Sequence, residues 1–199
     1  MMISGAVNLQ ILKYIKKMII DLLKIKEYSQ KAYDDANCIY DNQNYFVHIL
    51  MVLNVLGLHS QIFKNYNDYY VTEGAVYTHD LQEDAKQTYN NIKDIAGKDV
   101  ADIVLAVTDV PAENRLMKHL LTMGKTVKDY RAIILKMCDI YANAKYSKEH
   151  GSSMYEKYVK EYQYRKPIFQ QALTWYIEKI NQTELNKFWL ELDEIHAIL

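Results

Sequence analysis

The chain has 199 residues, half of them apolar and a quarter charged, a balance typical of folded globular proteins and unlike that of disordered chains. Its formal net charge of −1 argues against a protein whose main work is to coat nucleic acid with a basic surface. Six glycines and two prolines are too few turn residues for a many-stranded sandwich or barrel, so the composition favours an all-α protein. The length predicts a single domain over residues 1–199.

The first predicted element is an amphipathic helix over residues 7–27. Lysines and Asp21 interrupt its apolar run, so no stretch approaches the roughly 20 apolar residues that cross a bilayer. Cys38 and Cys138 lie far apart and match no zinc or disulfide spacing, which favours the reducing cytoplasm. We therefore expect a cytoplasmic protein without a membrane partner. Attachment to a membrane surface through the lysine face stays open as an alternative.

Helical periodicity continues through the rest of the chain. Further helices are predicted at about 29–40, 44–57, 70–82, 88–96, 98–108, 112–123, 127–147, 152–181 and 184–198. Gly97 separates two short helices, and Pro167 predicts a kink or break inside a long one. The polar, tyrosine-rich segment 58–70 predicts a loop that reaches over a site. The pattern as a whole predicts a compact multi-helix bundle without internal repeats.

The segment 78–84 (THDLQED) combines one histidine with three acidic side chains. On a helix, residues four apart share a face, so His79 is expected above Glu83 and Asp80 above Asp84. Four groups that bind metals or transfer protons would then occupy two neighbouring columns. An ordinary solvated helix holds three acids easily, but a histidine among them favours a metal site.

Two other polar side chains lie alone on strongly apolar helices. Asp139 follows the run AIILKMC, and a buried carboxylate there needs a cation or several hydrogen-bond donors. His48 lies in the equally apolar run YFVHILM. Each could be a hydrogen-bonded core residue. Together with His79 and Asp80, however, they form a candidate set of metal ligands.

The order of these groups, one His, then His-Asp, then an Asp in an apolar helix, resembles the HD-domain superfamily of metal phosphohydrolases. More closely, the chain resembles the alarmone (ppGpp) hydrolase domain of the RelA/SpoT family and its single-domain, SpoT-like relatives. Residues 79–84 fill the family pattern His-Asp-x-x-Glu-Asp. Segments 97–109 and 129–143 resemble two further motifs of the family. The resemblance covers about residues 28–175, with an extra N-terminal helix and C-terminal helices outside this core.

The resemblance implies a 3′-pyrophosphohydrolase that converts ppGpp or pppGpp to GDP or GTP plus pyrophosphate. It implies one divalent ion, most simply Mn²⁺ for a mixed nitrogen and oxygen donor set. The implied ligands are His48, His79, Asp80 and Asp139, and the implied catalytic residues are Glu83 and Asp84. The candidate substrate-binding residues are Tyr45, Arg131, Lys136, Asn143, Lys145 and Tyr146, and Arg115 is a further candidate cation.

The chain departs from the family just before the first histidine. The family has an Arg-Lys pair and a Pro-Tyr there, whereas residues 40–45 (YDNQNY) keep Tyr45 alone. Two alternatives therefore stay open, an HD phosphohydrolase for another nucleotide such as a dNTP or NADPH, and a non-catalytic nucleotide-binding regulator. The expected partner is a small-molecule nucleotide and not a nucleic acid, and a homo-oligomer is left open.

The four other histidines match no motif. His59 falls in the polar loop, His119 and His150 are predicted on or beside exposed helical stretches, and His196 lies near the C-terminus. We expect none of them to take part in the site.

Overall fold

The computed structural model describes residue 18 and residues 21–197. Amphipathic helices joined by short turns make up most of this part of the chain, so the prediction of an all-α bundle is confirmed. The helices are α1 over 21–35, α2 Phe46–Leu58, α3 Tyr66–Thr78, α4 Tyr89–Ala96, α5 Lys98–Val107, α6 Arg115–Thr126, α7 Tyr130–Glu149, α8 Met154–Leu173 and α9 Gln182–Ile195. None of these helices is both long enough and apolar enough to cross a membrane.

Helix α7 is the central element. It is apolar on most sides, and a helix of this kind is stable only when other elements cover it. Ile133, Ile134, Leu135 and Cys138 are fully buried, and α2, α3, α5 and α8 pack around the helix. Asp139 follows directly in the sequence and is therefore carried into the interior. The burial of this carboxylate is a consequence of where its helix must lie.

Helix α3 approaches α5 closely at Gly74. A Cβ atom added there would lie only 3.1 Å from Cγ2 of Val100 and 3.5 Å from Cδ1 of Ile25. The missing side chain thus allows α3 to pack between α1 and α5, with Ala75 and Val76 fully buried. This packing delivers the end of α3, and the residues that follow it, to the centre of the bundle.

The N-terminal predictions need correction. Residues 7–17, 19 and 20 of the first predicted helix lie outside the described residues, as do residues 1–6. The predicted break near residue 28 is wrong, because α1 continues through 21–35 and the Ser29 hydroxyl donates to the Ile25 carbonyl within it (2.8 Å). The helix also ends earlier than residue 40, and Asn37 has a positive φ of 54°.

In place of the predicted helix end, a small hairpin follows α1. Strand β1 (Ile39–Tyr40) pairs antiparallel with β2 (Gln43–Asn44). The two turn residues, Asp41 and Asn42, have φ of 46° and 63°, which is the left-handed pair that a two-residue type I′ turn requires. Asp and Asn tolerate this backbone better than most residues, so the turn agrees with the local sequence.

The segment 58–70 does not form a loop over a site, and that prediction is wrong. It contains the 3₁₀ turn Ser60–Ile62, and α3 already begins at Tyr66. The backbone N–H of Asn181 donates to the carbonyl of Ile62 (2.8 Å), which binds the segment to the connection before α9. The segment therefore packs against the C-terminal part of the bundle.

The helix predicted over 152–181 is shorter in the structure. Helix α8 ends at Leu173 and is followed by the 3₁₀ turn Thr174–Tyr176. Pro167 lies inside α8, which continues on both sides without the predicted break.

Candidate active site

The four predicted metal ligands come from three separate elements and meet at one point. His48 lies on α2, His79 and Asp80 follow α3, and Asp139 lies on α7. The Nε2 atom of His48 lies 3.5 Å from Oδ2 of Asp80 and 3.3 Å from Oδ1 of Asp139. The Nε2 atom of His79 lies 3.0 Å and 4.0 Å from the same two oxygens. The two Nε2 atoms are 3.4 Å apart.

The spacings among His48, His79 and Asp80, and that between His48 and Asp139, suit ligands of a single ion, whereas the 4.0 Å between His79 and Asp139 is wider. Atoms about 2.1 Å from one ion, at angles of roughly 90–110°, lie about 3.0–3.4 Å from each other. His48, His79 and Asp80 form a cluster whose donor atoms could hold a metal ion. Nδ1 of His79 lies 2.9 Å from the Val76 carbonyl, which places its N–H there and leaves the lone pair of Nε2 facing the other ligands. The donor set and the tautomer therefore fit a divalent cation.

The motif 79–84 is not helical, contrary to the predicted helix over 70–82. Helix α3 ends at Thr78, and a series of tight turns follows. The Leu81 amide donates to the Thr78 carbonyl (3.1 Å), and the amides of Glu83 and Asp84 both donate to the Asp80 carbonyl (3.1 Å and 2.8 Å). The arrangement in two helical columns is therefore wrong. The turns instead spread the side chains around the site.

Neighbouring side chains hold the two carboxylates in place. The Tyr45 hydroxyl donates to Oδ2 of Asp80 (2.6 Å), and the side-chain amide of Asn143 donates to Oδ1 of Asp139 (2.6 Å). Nζ of Lys136 lies 2.9 Å from Oδ2 of Asp139. These contacts satisfy lone pairs that burial would otherwise leave without partners.

The charges of the four predicted ligands stabilise one another. Burial opposes ionisation of Asp80 and Asp139, but the imidazoles beside both, and Lys136 beside Asp139, hold the pKa of each carboxyl well below its usual value. Burial also disfavours a charged His48, yet the hydrogen bonds to Asp139 and Asp80 raise its pKa to about 9. The negative field that raises this pKa would equally attract a divalent cation.

An open cavity of about 340 Å³ lies beside the predicted ligands. Glu83 and Asp84 line it next to Asp80, and Oε1 of Glu83 accepts a hydrogen bond from the Asp109 amide (2.8 Å). Both side chains reach water through the cavity. Their partial burial nevertheless disfavours the charged forms and raises the pKa of each carboxyl. They are therefore better able to hold a proton than exposed carboxylates.

The cations of the cavity are grouped on one side. Arg115 on α6, Lys136 on α7 and Arg165 on α8 are the lysine and arginine residues among its described lining residues. Arg115 and Arg165 share the carboxylate of Glu161, which lies between them. An anionic group bound on this side would therefore compete with Glu161 for the two arginines.

The predicted substrate-binding residues divide into two groups. Tyr45, Lys136 and Asn143 line the cavity. The other three do not: Arg131 and Lys145 form ion pairs elsewhere in the fold, and Tyr146 packs behind the cavity wall.

Arg131 pairs with Asp129 (2.7 Å) and Asp68 (3.5 Å) at the start of α7. Lys145 pairs with Glu149 one turn further along the exposed face of the same helix. Since neither cation lines the cavity, we remove both from the candidate set. Arg131 follows the N-cap Asp129 by two residues, and this local pairing competes with a role in binding.

Tyr146 has a structural environment different from the predicted one. Its hydroxyl donates to Oδ2 of Asp41 (2.8 Å) and accepts from Nε2 of Gln43 (3.0 Å), so it fastens the hairpin to α7. Its ring packs edge-on against Tyr40, which does line the cavity. Tyr146 therefore supports the cavity wall from behind.

Sequence reasoning missed part of the far wall. His119, predicted on or beside an exposed helical stretch, is only 5% exposed, and its Nδ1 lies 2.7 Å from the Tyr164 hydroxyl. It lines the cavity together with Glu161 and Arg165. A signal was present, because Arg115 and His119, like Glu161 and Arg165, are four residues apart and so share a helix face.

The remaining histidines lie outside the cavity. The ring of His59 stacks on Phe188 with a centroid distance of 3.9 Å, and His196 stacks on Tyr162 at 4.1 Å. Both are buried, whereas His150 is exposed at the end of α7. The prediction that these three stand outside the site is consistent with these positions.

Comparison with known proteins found no matching family model and no matching curated protein. Among solved structures, a metazoan ortholog of SpoT, described as hydrolysing ppGpp and playing a role in starvation responses, matches with a TM-score of 0.62 and 19% sequence identity. The match covers 88% of this chain and 93% of that chain. The two proteins therefore share a fold over nearly their whole lengths, as the sequence resemblance to SpoT-like hydrolases predicts.

Proposed function

We propose that this chain is a metal-dependent phosphohydrolase of the HD type that removes pyrophosphate from the 3′ position of ppGpp or pppGpp. The observation that carries the proposal is the convergence of His48, His79, Asp80 and Asp139 beside an open cavity. A bundle that needed only stability has little reason to bury two imidazoles and two carboxylates together, because desolvating such groups is costly.

The proposed substrate rests on two further observations. The motif residues 79–84 match the pattern of SpoT-like hydrolases, and the metazoan SpoT ortholog with this fold is described as acting on ppGpp. The cations grouped on one side of the cavity also suit a substrate with several phosphate groups.

We propose that His48, His79, Asp80 and Asp139 hold one divalent ion, with Mn²⁺ as the first candidate. Such an ion would supply Lewis acidity to the phosphoryl group and make a water molecule easier to deprotonate.

Glu83 and Asp84 would orient or deprotonate the attacking water and donate a proton to the leaving group. Both carboxyls have raised pKa values, which suits groups that must accept and return protons near neutral pH. We treat them as one coupled pair and assign no separate acid and base. Lys136, Arg115 and Arg165 would bind phosphate oxygens, while Tyr45 orients Asp80.

The direct test is to incubate the purified protein with Mn²⁺ and ppGpp and to measure pyrophosphate and GDP. We expect turnover in the wild type and loss of turnover in Asp139→Asn, which removes a ligand charge with little change in shape. Asp193→Asn provides a matched control, because Asp193 pairs with Lys166 outside the cavity. Inertness of the wild-type protein with Mn²⁺, Fe²⁺, Zn²⁺ and Mg²⁺ would contradict the proposal.

A second candidate substrate class is favoured by the hairpin wall. That side of the cavity presents Tyr40 and Tyr45 and lacks lysine or arginine among its described lining residues. The same chemistry could therefore act on another phosphorylated nucleotide, such as a dNTP or NADPH. A panel of these compounds assayed with Mn²⁺ distinguishes the two classes, since an alarmone hydrolase should turn over ppGpp with the highest kcat/KM.

A further inference from the structure

The ring of His48 has an unusual environment for a candidate metal ligand. Its Nε2 atom faces the other ligands, but its Nδ1 atom is buried without a hydrogen-bond partner. His79, by contrast, is fixed by the contact of its Nδ1 with the Val76 carbonyl. Metal-binding histidines are usually oriented by such a contact, so His48 needs another means of orientation.

Tyr40 provides that means from the hairpin. Its ring stacks on the His48 ring with a centroid distance of 5.0 Å and an interplanar angle of 17°. Its hydroxyl donates to Oδ1 of Asn143 (3.0 Å), and Nδ2 of the same side chain donates in turn to Oδ1 of Asp139 (2.6 Å). One side chain thus contacts one candidate ligand directly and reaches a second through a single neighbour.

The hairpin that carries Tyr40 is itself held firmly. Tyr146 bonds both Asp41 in the turn and Gln43 on the second strand. The side-chain amide of Asn44 donates to Oδ1 of Asp34 at the end of α1 (2.8 Å). The position of Tyr40 is therefore fixed from α1 and α7, as a positioning residue requires.

We propose that Tyr40 is a positioning residue that orients His48 and Asp139 for metal binding, by ring stacking on the first and through Asn143 on the second. The inference rests on the proposed metal centre. It assigns the hairpin a task other than contact with substrate. It also explains why an aromatic residue stands at this point of the cavity wall.

The test is the affinity for Mn²⁺, measured by isothermal titration calorimetry without substrate. We expect Tyr40→Leu, which loses both the stacking and the hydroxyl, to bind Mn²⁺ about 10- to 100-fold more weakly. Tyr40→Phe keeps the stacking and should recover most of this affinity, with a loss of only a few-fold. Tyr176→Leu is the matched control, since the partly buried Tyr176 also packs its ring on an aromatic residue and donates a hydroxyl hydrogen bond, but does not line the cavity, and its affinity should equal that of the wild type.

Thermal melting of the metal-free proteins separates positioning from folding. The partly buried Tyr40 should be replaceable with little change in melting temperature, and Tyr40→Gln gives a second variant without a ring should the leucine disturb folding. A folded Tyr40→Leu or Tyr40→Gln protein with wild-type affinity for Mn²⁺ would overturn the inference. If the wild type itself bound no Mn²⁺, the proposed metal centre would fail instead, so the two failures are distinguishable.

Discussion

At the scale of single residues, the same carboxyl group behaves differently according to what surrounds it. Asp80 and Asp139 lie beside imidazoles and stay ionised, whereas Glu83 and Asp84 stand at the cavity wall with raised pKa values. The sequence shows these four carboxyl groups but not the differences between them, because a pKa depends on partners that are distant in the chain.

Glu83→Gln tests the proposed proton-transfer role. Glutamine keeps the shape of the side chain and can still accept from the Asp109 amide, but it cannot take up a proton. We expect kcat to fall by about 10²- to 10⁴-fold while the affinity for Mn²⁺ stays close to that of the wild type. Glu73→Gln is the matched control, because Glu73 also has a raised carboxyl pKa but lies outside the cavity. Equal activity of the two variants would contradict the role.

His119 leads to a prediction about pH and stability. Its burial, reinforced by the nearby Arg165, lowers the pKa of its imidazole to about 4. Between pH 4 and about 6.5 the unfolded chain binds a proton at this side chain and the folded chain does not, so the free energy of unfolding decreases as the pH falls through this window. His119→Gln removes the titrating group, so the free energy of unfolding should decrease less over the same pH window.

Urea unfolding of the metal-free protein at several pH values measures this effect. Leu120→Gln, on the same helix but 40% exposed, serves as the control and should keep the wild-type slope, because it changes no titratable group. Because burial also lowers the pKa values of His59 and His196, the slope in His119→Gln should be reduced without disappearing. An unchanged slope in His119→Gln would show that this imidazole is not held neutral.

At the scale of elements, apolar periodicity located most helices but not their ends. The helix predicted over 70–82 runs into the segment 79–84, and the one predicted over 29–40 runs into the first strand of the hairpin, yet neither part is helical in the structure. Periodicity reports which face is buried, whereas a helix ends where local turns and distant contacts become more favourable. The bonds of Tyr146 to Asp41 and Gln43, more than a hundred residues away, are contacts of this kind.

Helix α2 offers a test of its packing with two adjacent residues. Ile49 is fully buried in the core, while Leu50 is 50% exposed. We expect Ile49→Ala to lower the free energy of unfolding by about 2–5 kcal/mol, because it leaves a cavity. Leu50→Ala should change it by no more than about 0.5 kcal/mol. Similar losses for the two variants in denaturant unfolding would mean that the helix presents a different face to the core.

At the scale of the whole molecule, the site depends on three helices that are distant in the chain. The order of His48, the His79-Asp80 pair and Asp139 could be recognised in the sequence because each lies in or beside an apolar segment that must be buried. Their spacing could not be predicted, since it depends on how α2, α3 and α7 pack. The far wall, with His119 and Glu161, depends in the same way on how α6 and α8 face each other.

The central claim is that His48, His79, Asp80 and Asp139 bind one metal ion, and anomalous X-ray diffraction at the manganese absorption edge tests it most directly. Crystals grown with Mn²⁺ should give one strong peak within about 2.0–2.3 Å of a nitrogen or oxygen atom of each of the four side chains. A peak at any other place, or none at a saturating Mn²⁺ concentration, would contradict the claim.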